Sequence, residues 1–182
     1  LGVEPWGFHL VNVLLHGVVA VLLYTVLKSY GMTRLLAWLA AAIFAVHPIH
    51  TEVVNEAVGR SEILVAICLF TGLCFATRDS WKAQVAVIIC FGAALLSKEH
   101  GVVFLAMLPS FEWFSGRWQD GGWGRRIPLY LSLLVVAAVW LAWWLWGISH
   151  AVPRSPVDDI FVPLWHMSHE ARFLTALKLQ GL

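Results

Sequence analysis

The sequence predicts an all-α, polytopic transmembrane helical bundle, and three observations lead there. Of its 182 residues, 60% are hydrophobic and only 13% are charged, about half the charged share of an ordinary soluble domain. Six apolar stretches recur, at about 8–27, 35–49, 61–77, 82–97, 101–115 and 127–148. The connectors between them alternate in basic charge, as loops on the two sides of a membrane do.

A net charge of +1 without any Lys/Arg run leaves no basic patch for a phosphate backbone, so no nucleic-acid partner is expected. Cys68, Cys74 and Cys90 lie inside apolar runs at spacings unlike zinc or redox motifs. They read as small core residues. The chain opens on Leu1 and ends at Leu182 within helical spacing, so it reads as one membrane-domain fragment of a longer protein.

Taken in order, the first span carries Asn12 and His16 four residues apart, on one helix face. Polar groups in a span turn inward. They serve either helix–helix hydrogen bonding or, for His16, the lining of a cavity. The first and last stretches reach the ~20 residues a span requires, whereas the middle four are short for ~30 Å of hydrocarbon at 1.5 Å per residue. Short helices must draw in their flanks. On one side those flanks are 47–62 and 97–100, which predicts polar groups sunk into a water-filled cavity rather than set against lipid.

Orientation follows from the basic residues. Lys28, Arg34, Arg78, Lys82, Arg117, Arg125 and Arg126 occupy alternate connectors, against Arg60, Lys98 and Arg154 on the opposite ones. The richer side is cytoplasmic by the positive-inside rule. The stretch 1–7, the polar island 47–62, the Lys98-Glu99 turn and the segment after Ile148 then share the exoplasmic side. Trp38, Trp81, Trp113, Trp118 and Trp123 form one interfacial belt, and Trp6 with Trp143, Trp144 and Trp146 the other. Pro109 should kink the fifth span. Three prolines and the Asp158-Asp159 pair make 149–168 an exoplasmic loop, after which 169–182 resumes helical spacing as an amphipathic helix or the start of a seventh span.

The polar island is His47-Pro-Ile-His-Thr-Glu-Val-Val-Asn-Glu-Ala-Val-Gly-Arg-Ser-Glu62. Pro48 suits the first position of a new helix. Glu52, Asn55, Glu56, Gly59 and Arg60 then fall on one stripe of a short amphipathic helix, with Glu56 and Arg60 placed for an i,i+4 ion pair. His47, His50 and Glu52 are metal-ligand types, but the pattern is not a His-Glu-x-x-His helix and no metal is expected. Acid or base work by His50 or Glu52 is an alternative. Ser97-Lys-Glu-His-Gly101 interrupts a second apolar run. A lysine there needs an anion, and Glu99 is too near in sequence to be its ideal partner. Lys98 either snorkels to the headgroups or meets a lipid-linked phosphate.

His-Pro-Ile-His-Thr-Glu at 47–52, Val-Gly-Arg-Ser-Glu at 58–62 and Leu-Ser-Lys-Glu-His-Gly at 96–101 resemble the transmembrane and tetratricopeptide-repeat-containing (TMTC) O-mannosyltransferases and their bacterial relatives. Trp6-Gly-Phe-His-Leu-Val-Asn-Val-Leu-Leu-His16 and Arg172-Phe-Leu-Thr-Ala-Leu-Lys178 are similar to that family in the same order. The resemblance implies a GT-C glycosyltransferase fold with an exoplasmic active site. Such an enzyme transfers a sugar, here mannose, from a polyprenyl or dolichyl phosphate carrier to a protein hydroxyl, without a further cofactor. By the same resemblance Lys98, Glu99 and His100 would sit near the carrier phosphate, and His47, His50, Glu52 and Arg60 would shape the cavity. The family's catalytic acid would precede Leu1, and its tetratricopeptide repeats are not in this chain. The chain alone is therefore expected to be inactive. The implied location is the endoplasmic reticulum membrane in a eukaryote, or the inner membrane in a bacterium, with the site on the luminal or periplasmic side. The competing reading is a transporter in which Lys98, Glu99, His50 and Glu52 form an ion path; the gathering of polar residues on one side, without repeated broken helices, speaks against it.

Overall fold

The computed structural model describes residues 5–56, 59–116 and 123–149, and every regular element among them is helical. The helices are α1 (Pro5–Ser29), α2 (Arg34–Val46), α3 (Thr51–Asn55), α4 (Arg60–Ala76), α5 (Trp81–Ser97), α6 (Phe104–Phe114) and α7 (Trp123–Ser149). Short 3-10 turns, Pro48–His50 and Glu99–Val103, precede α3 and α6. The chain divides into two compact units, 1–142 and 143–182. Of the second unit the described part is the end of α7, where Trp143, Trp144 and Trp146 are exposed. The loop expected at 149–168, the helix expected at 169–182, and Arg117, Trp118, Arg154, Asp158 and Asp159 lie outside the described residues, apart from Ser149 at the end of α7.

Each of the six apolar stretches is mainly helical, with 35–49 broken at the extended His47, but they differ in reach. His9–Ser29 and Gly124–Gly147 are long and apolar enough to cross a bilayer, which makes this an integral membrane protein. Arg34–Val46 and Pro48–Asn55 pass the same test only as a pair bent by 47°, a broken span or a re-entrant segment. At 17 residues each, α4 and α5 extend about 25 Å. The 11-residue α6 is shorter still and carries Pro109 within it.

Local chemistry sets the turns. Gly31, at φ +94°, closes α1 with Met32 N donating to Leu27 O and Gly31 N to Lys28 O, a left-handed cap that other residues adopt only with strain. Thr33 caps α2, and Ser80 caps α5 by accepting from Ala83 N at 3.2 Å. Within the first unit α4 packs most extensively on α5 and then on α1, while α2 packs on α1. The core of this unit, drawn from α1, α4, α5, α6 and α7, holds Val26, Leu69, Leu73, Val87, Phe91, Phe104, Leu108, Leu129 and Leu133. Gly72 leaves room for the Phe104 ring, which stacks on Phe91 with centroids 5.7 Å apart.

One end of this unit is locked by a buried charged cluster that sequence reading treated as an apolar span and a loop cation. Glu112 in α6 is only 1% exposed, and its Oε2 accepts from Tyr130 OH at 2.6 Å. Its Oε1 faces Arg126 Nη1 at 3.6 Å, and both atoms are buried without a hydrogen-bond partner. Arg126 Nη2 donates to Asp79 at 3.0 Å. Removing one member of a buried ion pair strands the other charge, at a cost of about 3–5 kcal/mol. Arg126→Ala is therefore expected to lower thermal stability in detergent by about that amount. Loss of the well-exposed Asp79 is expected to cost about 1 kcal/mol or less, so equal effects would contradict the burial argument.

Candidate functional site

At the opposite end of the unit, two chain reversals bring together the segments singled out in the sequence. The first begins where α2 stops. Pro48 lacks an N–H and biases the preceding residue toward extended backbone, and His47 is extended at φ −69°, ψ 129°. His47 Nδ1 then accepts from Ile49 N at 3.2 Å. Pro48 opens the new helix as its first residue, and α3 follows to Asn55.

The amphipathic helix is shorter than its stripe suggests. Glu56 is extended at φ −89°, ψ 140°, so the helix ends at Asn55, and Arg60 instead opens α4. The i,i+4 geometry expected for Glu56 and Arg60 is thereby lost. Arg60 Nε donates to Asn12 Oδ1 at 3.2 Å instead. The break requires Gly59, because a Cβ there would overlap the Val53 carbonyl.

Asn12 is the anchor of this end. It is completely buried, and its Nδ2 donates to Val54 O at 3.1 Å and Glu56 O at 3.0 Å while its Oδ1 serves Arg60. Both donors and the oxygen of one buried amide thus go into holding the polar island to α1. His16, one turn further along α1, takes the other position on that face. Its Nε2 lies 3.3 Å from Ala45 O, and its ring stacks on Phe44 and lies 5.0 Å from His50. Both α1 residues therefore take the helix–helix role.

The second reversal follows α5. Lys98 is extended at φ −163°, ψ 149°, and the turn Glu99–Val103 packs closely on the end of α5. A Cβ at Gly101 would lie 2.7 Å from the Ala94 carbonyl carbon, so only glycine permits this approach. The turn delivers Lys98 Nζ to Glu62 Oε1 in the first turn of α4. The lysine thus has its anion, and that anion is Glu62. Glu62 Oε2 also lies 3.9 Å from His100 Nδ1. Its hydrogen bond to Glu62, reinforced by the charges of Glu62 and Glu99, holds the Lys98 ammonium above its ordinary range. Lys98 is accordingly cationic at neutral pH.

Glu52, Val53, Glu56, Gly59, Glu62 and Lys98 line one hollow of about 290 Å³. Glu52 and Lys98, 46 positions apart in the chain, thus share it. Glu99 and His100 are exposed on the adjoining turn and are not among the residues lining it. Arg60 stands behind it on Asn12. His47 and His50 sit apart in an aromatic cluster with His16 and Phe44, in which Phe44 and His50 are 4.3 Å apart between ring centroids. Among the described residues no three His, Cys, Asp or Glu converge as a metal-ligand set. Sequence reading missed Glu62 and Glu56 as lining residues. The signal for Glu62 was present, as a carboxylate in the first turn of an apolar helix, but its pairing with a lysine 36 positions away has no local signature.

Three carboxylates face one ammonium, so the hollow can offer a cation to an anionic group and carboxylate acceptors to hydroxyls. No protein-family model matches the chain, and no solved structure matches it. Curated proteins do. The chain is 36% identical over 125 residues to the protein O-mannosyl-transferase Tmtc2 of Drosophila melanogaster, covering 63% of this chain and 13% of that protein. It is 38% identical over 135 residues to the protein O-mannosyl-transferase TMTC4 of Homo sapiens, covering 61% of this chain and 18% of that one. Against the protein O-mannosyl-transferase TMTC3 of Mus musculus it is 30% identical over 118 residues, or 61% of this chain and 13% of that protein. The chain therefore spans less than a fifth of the length of these relatives.

Asn12→Ala removes three hydrogen bonds and leaves Arg60 without this acceptor. A loss of about 2–3 kcal/mol is expected, from the ~1–3 kcal/mol cost of each buried group left unsatisfied. Amide hydrogen exchange checks it: protection should fall first across Thr51–Arg60, and uniform loss over the whole bundle would contradict the anchoring role.

Proposed function

From the premise that this chain is a relative of the TMTC-type O-mannosyl-transferases, we propose that it is the carrier-binding part of a membrane glycosyltransferase of GT-C type. It contributes to mannose transfer from a polyprenyl or dolichyl phosphate carrier to a protein hydroxyl. Six of its helical stretches cross or enter the membrane, and the hollow opens on the luminal side of the endoplasmic reticulum or on the periplasmic side of a bacterial inner membrane.

The observation that carries this reading is the hollow shared by Glu52, Glu62 and Lys98 at the polar end of the bundle. A leaving phosphate gathers negative charge as the sugar departs, and a fixed cation stabilises that charge more in the transition state than in the ground state. Lys98 is the group in the hollow able to do so, and it keeps its proton at neutral pH. Glu52 lines the hollow beside it and suits contact with sugar hydroxyls as an acceptor. Arg60, held by Asn12, and the histidine cluster shape the surrounding wall. Glu99 and His100 on the neighbouring turn face the approach to Lys98. No cofactor takes part, and this chain alone binds the carrier without turning it over.

The test is binding of a mannosyl-phosphoryl polyprenol to the chain in lipid nanodiscs, compared with Lys98→Ala. Hydrogen bonds to charged groups contribute about 1.5–3 kcal/mol, so a loss of about tenfold or more is expected. Unchanged affinity in a folded Lys98→Ala protein would overturn the reading. Because the Lys98 pKa is raised, its charge persists below that value and is lost only as pH rises through it. Binding should accordingly hold steady from neutral to mildly alkaline pH.

A further inference from the structure

The hollow has an electrostatic difficulty that leads to a second conclusion. Its one lysine is already engaged by Glu62, and Glu52 and Glu56 add two further carboxylates to the same lining. A phosphate brought to Lys98 would meet three negative charges and an ammonium whose partner is in place. Yet the Glu62–Lys98 pair is not sealed, since the two side chains keep 37% and 28% of their exposure. Partly exposed ion pairs are worth little individually, about 0.2–1 kcal/mol, and can be exchanged for another anion. Glu62 also has somewhere to turn, because its second oxygen already lies 3.9 Å from His100 Nδ1.

We propose that Glu62 is an internal stand-in for the donor phosphate, holding Lys98 when no donor is bound and giving way one for one when the phosphate arrives. This rests on the carrier-binding role given to Lys98 above. A sugar-phosphate-polyprenol is a phosphodiester with a single negative charge. Its exchange for one carboxylate leaves the charge in direct contact with the Lys98 ammonium unchanged, while the displaced Glu62 turns toward His100. The released carrier is a phosphomonoester, with a charge of about −1.5 to −2 at neutral pH. It would face Glu52 and Glu56 with more charge than one carboxylate, and Glu62 would reclaim the lysine, favouring departure of the product.

The experiment measures binding of mannosyl-phosphoryl polyprenol to the chain in phosphatidylcholine nanodiscs for wild type, Glu62→Gln, Glu52→Gln, Lys98→Ala and the Glu62→Gln/Lys98→Ala double variant. Removing a competitor worth an exposed ion pair should tighten binding about two- to fivefold in Glu62→Gln, with a smaller change in Glu52→Gln. The gain should vanish when Lys98 is absent, because coupled residues are not additive. Weaker or unchanged binding in Glu62→Gln, with Lys98→Ala impaired, would make Glu62 a fixed strut and overturn the exchange while leaving the carrier-binding reading intact. An equal gain in Glu52→Gln, or one that survives Lys98→Ala, would reduce the effect to general charge and also overturn it. No effect of Lys98→Ala would instead defeat the carrier-binding reading. A second measurement needs no variant: carbodiimide labelling of Glu62 in wild-type protein should rise as donor is added, and constant or falling labelling would contradict displacement. Inorganic phosphate and anionic phospholipid serve as separate arms; if either releases Glu62 at lower concentration than the donor, the stand-in answers to that anion and not to the carrier.

Discussion

A buried amide in an apolar bundle governs this end of the protein. Asn12 is fully buried on α1, where an unsatisfied amide group would cost several kcal/mol. Its two donor bonds go to the backbone just before α4, and its oxygen goes to Arg60. Those bonds fix where α3 ends and where α4 begins. The start of α4 in turn sets the position of Glu62, and Glu62 decides where Lys98 rests. The geometry of the hollow thus descends from one satisfied side chain, aided by glycines at 59 and 101 that let the two reversals pack against their neighbours.

The two ends of the first unit use charge in different ways. Around Glu112 the carboxylate is sealed from solvent, fixed by Tyr130 and Arg126, and ties α6 to α7. Such a cluster is costly to assemble and rigid once made. Around Lys98 the ion pair is half open and borders a cavity. An exchangeable pair suits a site that must admit and release an anion, whereas a sealed one suits a joint. The two pairs differ in burial, and under the proposed function that difference would separate a structural role from a binding role.

Much of this was legible from residue pattern alone. The helical class, the positions of the apolar stretches, the break at His47-Pro48, and the inward face of Asn12 and His16 all follow from local sequence. The meeting of the polar island with the turn at Lys98 was expected as well, and the hollow that Glu52 and Lys98 share agrees with it. What escaped was set by contacts between distant residues. The stripe from Glu52 to Arg60 looked continuous because helical spacing cannot register a backbone that turns at Glu56 around Gly59. Glu112 was hidden in an apolar run and Arg126 counted as a loop charge, since their pairing across α6 and α7 leaves no periodic trace. Span number likewise rests on more than local sequence, because α4, α5 and α6 are short and crossing depends on what surrounds them.

The central claim is that the polar island and the turn after α5 open into one hollow on one membrane face. The most direct measurement is side-specific thiol labelling of Glu52→Cys and Lys98→Cys, made separately in a background where Cys68, Cys74 and Cys90 are serine, in sealed vesicles of known orientation. Both new thiols should react with a membrane-impermeant reagent from the same side. Reaction from opposite sides would contradict the account.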